Sequence, residues 1–480
     1  MAAMKRPRPT IHFVSLGCPK NRVDSEVMLG VAADARYEHV DDPARAEVIV
    51  VNTCGFIGAA KKESVDTILE MAEHRRAGRC TKLVVAGCLS QRYPEELAAG
   101  MPEVDHFLGS SDMLKLGEVL RGRAERMLVG HPADWVVRAS DPRALSGRVG
   151  SAWVKLAEGC NRTCAFCVIP ELRGKQRSRT PDDVVREVEE LTARGVREVN
   201  LVSQDTVAYG RDLPGGASAE ARLAPLVRRV ADVPGVRWVR LFYLYPEKLD
   251  PELVELVAHH PRVLPYVDMP LQHAADAMLR RMRRGHGGAR LRRLVDELRQ
   301  KVPGLTFRTA FIVGHPGESA AEFEELCDFV RAAEFEHLGV FRYSDEESAA
   351  SHALDAKVPA LVAANRWRRL MAIGRRIAAR KNAAFVGREL EVLVEGASEE
   401  HELVLVGRHR GQAPEIDGQV FLSGGAELDA PPRAGDLVRA RVTQATDYDL
   451  AAGLVSVEPR DRPAGTRARG RTLPVLRAGA

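Results

Sequence analysis

Short apolar runs alternate with amphipathic helical stretches from residue 11 to about residue 342. This alternation constrains the fold more than any other feature. It calls for parallel strands covered by helices, because each crossover must return along a helix. It comes in two blocks. "IHFVSLG" (11–17), "EVIVVNT" (47–53), "KLVVAG" (82–87) and "HFLG" (106–109) read as buried strands, with patterns such as "KKESVDTILEMAEHRR" (61–76) between them. They predict an N-terminal open parallel α/β sheet over 9–122. Residues 123–150 carry turn residues without a period and read as linker. Over 151–386, "AWVKLAEG", "EVNLVSQ", "WVRLFYLY", "YVDMPLQ", "LTFRTAFIVG" and "HLGVFRYS" form six strand–helix units, then a long helix. A partial (β/α) barrel follows from that count. From 387 to 458 short strands at close spacing predict a small antiparallel β-barrel. Residues 459–480, rich in Pro, Gly and Arg, are expected to be a disordered basic tail. The class is α/β, and 480 residues are ample for three cores.

The chain has eight cysteines. Three of them, Cys160, Cys164 and Cys167, fall within "EGCNRTCAFCVIP" (158–170), just after the first barrel strand. Active sites of such barrels are built at the carboxyl ends of the strands. A structural zinc site wants four ligands, and a disulfide framework wants an even count. Three thiolates suit three corners of a cubane iron–sulfur cluster, with one iron left open. A zinc knuckle completed by a distant ligand such as His273 stays possible, as does a ferredoxin module, although the fourth cysteine that module needs before Pro170 is missing. Cys18, Cys54 and Cys88 each follow a strand of the first block ("SLGCPKN", "VNTCGF", "VAGCLS"). Strand ends of an open parallel sheet face one crevice, so these three thiols are placed to converge. The helices that follow them are expected to favour thiolate. Three cysteines packed in an apolar sheet would look the same from position alone. Cys80 and Cys327 read as structural. No run of about 18 apolar residues exists to span a bilayer. Nothing at the N-terminus has the length of a secretory signal, so a cytoplasmic protein with reduced thiols is expected.

The C-x3-C-x2-C loop resembles that of the radical S-adenosylmethionine (SAM) superfamily. The resemblance implies a 4Fe–4S cluster whose open iron is chelated by SAM, which is cleaved to a 5′-deoxyadenosyl radical. It also implies that Phe166 lies against the adenine. "LVSQDT" (201–206), "YVDMPLQHA" (266–274) and "FIVGHPGE" (311–318) resemble the superfamily's SAM motifs, which implies cofactor contacts at Ser203, Gln204, Asp205, Gln272, Gly314, Gly317 and Glu318. The two glycines are expected to let the backbone approach the cofactor. "SLGCPKNRVDSE", "VNTCGFI" and "VAGCLSQRY" resemble the N-terminal domain of methylthiotransferases. There such cysteines hold a second 4Fe–4S cluster, and the C-terminal barrel is a TRAM domain. The family therefore implies two clusters: Cys18, Cys54 and Cys88 hold an auxiliary one for sulfur, and Cys160, Cys164 and Cys167 hold the one that works with SAM.

"GCPKN" with "VDSE" resembles the branch that modifies an aspartate β-carbon of ribosomal small-subunit protein uS12. The branch that modifies tRNA adenosine more often reads "GCQMN". Charge gives a separate argument. The net charge is +4, yet residues 388–458 hold six Arg against fourteen Asp and Glu. An RNA-binding module should be basic; an acidic one suits a basic ribosomal protein, free or in the assembled subunit. The implied partners also include a sulfur donor and an electron donor, and a monomer is expected. A non-enzymatic iron–sulfur or zinc scaffold binding ribosomal components is the competing class.

Overall fold

The computed structural model describes residues 8–214, 222–246, 249–398, 404–425, 428 and 431–458. The expected tail at 459–480 lies outside them. Three β-structures account for the architecture. The first is a six-stranded parallel sheet in the order Glu38–His39, Thr10–Ser15, Val48–Thr53, Lys82–Gly87, His106–Leu108, Met127–Leu128. The three strands that precede Cys18, Cys54 and Cys88 are thus immediate neighbours. Strands in a sheet lie about 4.8 Å apart, so three consecutive carboxyl ends fall within roughly 10 Å.

The second sheet is parallel and runs in sequence order: Ser151–Lys155, Glu198–Val202, Trp238–Leu241, Val263–Asp268, Thr306–Val313, His337–Arg342. Right-handed βα connections generate this order. The third is a closed barrel of Glu389–Ala397, Leu405–His409, Val420–Ser423, Leu450–Val457 and Leu437–Ala445, with one parallel pair among antiparallel ones. The α/β class and its three parts are as expected.

The expected linker is not a free connection. Met127–Leu128 extends the first sheet, and Val137 is buried. Arg143 ion-pairs with Glu26 of the first domain and Glu187 of the second. Polar, aperiodic sequence reads as linker because its burial depends on distant carboxylates that no local pattern reveals.

The helix Pro19–Asp34 is buried on nearly every residue, including Asn21, Arg22, Asp24 and Glu26. A helix buried all round usually shows an apolar sequence. This one is polar because it lies between the first sheet and the second, where its charged groups find partners. One core joins Val27 and Met28 of this helix to Trp153, Phe242 and Tyr266 of the second domain and Leu393 and Leu437 of the barrel.

Part of the acidity of the C-terminal barrel is taken up by arginines of the chain itself. Glu395 pairs with Arg408 and Arg148, Asp417 with Arg308, Glu415 with Arg22, and Glu458 with Arg237. The partner argument from surface charge is weakened accordingly, since these carboxylates face the protein's own arginines. Buried Glu198 is held by Arg240 and by Arg408 of the barrel. Burial alone would raise its carboxyl pKa; the two guanidinium groups outweigh this and lower it from 4.5 to about 2. A depressed carboxylate stabilises the fold above its unfolded value and loses that contribution as pH falls through the folded one. The denaturation midpoint should therefore decline between pH 4.5 and about 2. A Glu198→Gln variant, followed by urea titration across that range, should show a flatter decline.

Candidate functional site

At the carboxyl end of the first sheet, Cys18 caps the helix Pro19–Asp34, Cys54 follows its strand directly, and Cys88 opens the helix Cys88–Arg92. Gly17 makes the convergence possible. It has φ of 92°, and a Cβ on it would fall 2.8 Å from the Cys54 Cβ and 3.2 Å from its sulfur. Only glycine accepts both the conformation and the contact. The thiols feel one another. Burial pushes the Cys54 thiol up to about 12, helped by Cys88 and Cys18 beside it. Burial also raises Cys88, against the opposing pull of Arg173. The expected thiolate stabilisation by helix ends is thus overridden at Cys54 and Cys88 by desolvation and mutual repulsion. A trio of this kind gives up its protons only to a cationic centre, which is how thiolate sites couple metal binding to proton release.

The second trio lies on the loop after Ser151–Lys155, closed by the two-stranded ribbon Ala157–Glu158 and Arg177–Ser178. Cys160 N–H donates to Gly174 O at 3.1 Å, and Cys167 N–H to Cys164 O at 3.1 Å. Burial raises the Cys160 thiol to about 11, helped by Asp205 and Cys164, and the Cys167 thiol to about 12, helped by Cys164 and Cys160. Arg284 donates to Cys164 Sγ at 3.2 Å and stacks on Tyr245 at 4.2 Å. Among the described residues no group of three or more His, Cys, Asp or Glu is arranged to hold a single metal ion. His273 does not complete a zinc site. Its Nε2 faces Glu318 at 3.1 Å and its Nδ1 accepts from Ala275 N–H.

The other predicted cofactor contacts divide into two groups. Gln204 and Asp205 lie just past the strand Glu198–Val202, beside the cysteine loop. Gln204 Nε2 donates to Glu158, and Asp205 Oδ2 accepts from Arg162 at 2.5 Å. The remaining oxygen of each, Gln204 Oε1 and Asp205 Oδ1, is buried with no protein partner. Two orphaned acceptors next to a cysteine loop fit a ligand that brings N–H donors, such as an amino group. Phe166 packs with Met278, Met282 and Ile312. Ser203 and Glu318 bond protein groups through their side chains, and Gln272 does so through its backbone. Ser203 bonds Thr206 at 3.0 Å; Gln272, at φ of 71°, is clamped between Ala310 and Ile312 through its backbone. Both Glu318 oxygens are used, by His273, Gly314 N–H and Arg366.

Gly314 and Gly317 both have positive φ, at 78° and 77°. A Cβ on Gly314 would lie 2.5 Å from the Ala363 Cβ, and one on Gly317 would lie 3.1 Å from Arg281. Their missing side chains make room for the helix Ala360–Ala383 and for Arg281.

What the sequence did not reveal is the bridge between the trios. The helix Ile169–Arg173 begins two residues after Cys167, and its last residue, Arg173, donates to Cys88 Sγ at 3.3 Å. Val168 and Leu172 pack with Cys88 and Ala349. Arg173 also pairs with Asp24 at 2.8 Å and bonds Asn21 at 2.5 Å, while Lys155 binds Asp24 and Glu158. Lys20 sits over the Tyr243 ring at 3.5 Å. The only sequence signal for this group was a row of basic residues after the triplet, which does not say which one turns inward.

A parallel barrel sheet with a three-cysteine loop after its first strand defines a radical SAM enzyme, and residues 154–330 match the model of the Radical SAM superfamily. Residues 10–109 match the model described as Uncharacterized protein family UPF0004, and residues 386–455 match the TRAM domain. The ribosomal protein uS12 methylthiotransferase RimO of Sorangium cellulosum (strain So ce56) is 72% identical over 457 residues, which cover 95% of this chain and 93% of that protein. Proteins of the same name from Myxococcus xanthus (strain DK1622) and Anaeromyxobacter sp. (strain K) are 49% and 48% identical, covering 94% and 95% of this chain and 93% and 97% of theirs. The chain belongs to the ribosomal protein uS12 methylthiotransferase family.

Proposed function

We propose that this chain transfers a methylthio group to the β-carbon of an aspartate in ribosomal protein uS12, using two 4Fe–4S clusters and SAM. The identity of 72% over 95% of the chain to the Sorangium cellulosum uS12 methylthiotransferase carries this conclusion. The two cysteine trios, joined by Arg173, support the two-cluster form. An unactivated C–H bond is beyond any side-chain base at neutral pH, so the bound clusters and SAM supply the radical and the sulfur chemistry. The chain's own residues hold and orient. Cys160, Cys164 and Cys167 would anchor the cluster that meets SAM. Gln204 and Asp205 offer buried acceptors beside it. Cys18, Cys54 and Cys88 would anchor the auxiliary cluster, with Arg173 balancing charge at the Cys88 sulfur. Among the described residues no helix is long and apolar enough to cross a membrane. We place the protein in the cytoplasm, acting as a monomer with separate sulfur and electron donors.

Anaerobically reconstituted protein given SAM, reductant, sulfide and uS12 should add one methylthio group to one uS12 aspartate, read by tandem mass spectrometry. An adduct on tRNA with none on uS12 would overturn the assignment.

A further inference from the structure

Near the two trios lies a buried lysine with no carboxylate at ion-pair distance among the described residues. Lys20 stands two residues after Cys18 and is 7% exposed. Three other cations of this region are paired with carboxylates, Lys155 with Asp24 and Glu158, Arg173 with Asp24 and Glu158, and Arg162 with Asp205, while Arg284 is spent on Cys164 Sγ, Pro270 O and the Tyr245 ring. Lys20 has no carboxylate at ion-pair distance among the described residues. Its ammonium rests on the Tyr243 ring at 3.5 Å, with Cys18 and Glu158 as further electrostatic neighbours.

Tyr243 is itself fixed. It has φ of 56°, its N–H donates to Asp268 Oδ2 at 3.0 Å, and its carbonyl accepts from Thr206 N–H. It lies two residues past the strand Trp238–Leu241, at the same carboxyl end of the sheet as Gln204 and Asp205. Lys20 therefore reaches from the auxiliary trio to the barrel mouth. An ammonium offers three donors, and an aromatic face engages only one side of it. Leaving a buried charge unpaired is costly unless a ligand completes it.

We propose that Lys20 recognises the carboxylate of the substrate aspartate. This rests on the uS12 reading above and adds the residue that selects the side chain. The γ-carboxylate is one bond from the β-carbon. Seating it on Lys20 places that carbon between the two trios, where the hydrogen must leave and the methylthio group must arrive. Glu158 and Asp24, already held by Lys155 and Arg173, would not compete for it.

The test uses the reconstituted full chain with uS12 and with uS12 whose modified aspartate is replaced by asparagine. Affinity is read by titration, and kcat/KM by mass spectrometry of the product. The wild-type protein should prefer the aspartate form. Lys20→Met should lower kcat/KM on it by about 100-fold, the scale of one buried hydrogen bond to a charged group, and weaken its binding in parallel. Its values for the asparagine form should change little, so the preference disappears. Lys20→Arg, which keeps the charge, should retain much of it. Iron content equal to wild type shows that the trio stays intact. If Lys20→Met loses activity but keeps the aspartate preference, Lys20 is only packing against Tyr243 and the proposal is overturned. If the wild-type protein itself leaves uS12 unmodified, the reading beneath has failed, and that outcome is distinct.

Discussion

Replacing Cys88 by Ser is expected to stop methylthio transfer to uS12 while SAM is still reductively cleaved. The fall in transfer should be on the order of 10³-fold or more, beyond the roughly 10–100-fold that losing an outer-shell partner costs. The reason is spatial. Cys18, Cys54 and Cys88 belong to one sheet and Cys160, Cys164 and Cys167 to another, and each loop is closed by its own backbone hydrogen bonds. Cys164→Ser should abolish both cleavage and transfer, because it strikes the trio beside Gln204 and Asp205. Arg173→Ala touches both regions, through Cys88 Sγ, Asp24 and Asn21, and should fall between the two. The assays are release of 5′-deoxyadenosine and mass of uS12. A Cys88→Ser protein that modifies uS12 at the wild-type rate would show that this trio is structural.

The second large effect is on stability. Arg408 is a fully buried side chain of the C-terminal barrel whose guanidinium pairs with Glu198 and Glu395 and donates to Gln412 O. Arg408→Met leaves two buried carboxylates short of a partner, with Arg240 remaining on Glu198 and the longer contact from Arg148 on Glu395. Breaking a buried pair from one side costs about 3–5 kcal/mol. Undocking of the barrel at lower urea, seen as a first transition and as earlier cleavage near residue 387, is the expected outcome. Adding Glu198→Gln should recover part of the loss, because the orphaned charge is then gone.

Much of this molecule could be read before its structure. Period-two and apolar runs placed the strands of both parallel sheets, since a strand buried on both faces is apolar along its length. The cysteine trios were visible because each thiol ends such a strand. What stayed hidden depends on contacts far apart in sequence. Pro19–Asp34 has the polarity of a surface helix and is buried because Asp24 meets Arg173, 149 residues away. The 123–150 segment looked loose because Arg143 is satisfied by Glu26 and Glu187. The acidity of the barrel suggested an outward-facing partner surface, whereas Glu395, Glu415 and Asp417 turn toward the chain's own arginines. Gly314 and Gly317 carry a motif of cofactor approach, and neighbouring protein atoms occupy the space their side chains leave.

The account depends on both trios holding a cluster, and metal content addresses that directly. Anaerobic reconstitution followed by iron and acid-labile sulfide analysis should give about eight of each per chain, and about four of each in Cys88→Ser. A wild-type protein that saturates at about four iron and four sulfide, unchanged by Cys88→Ser, would contradict it.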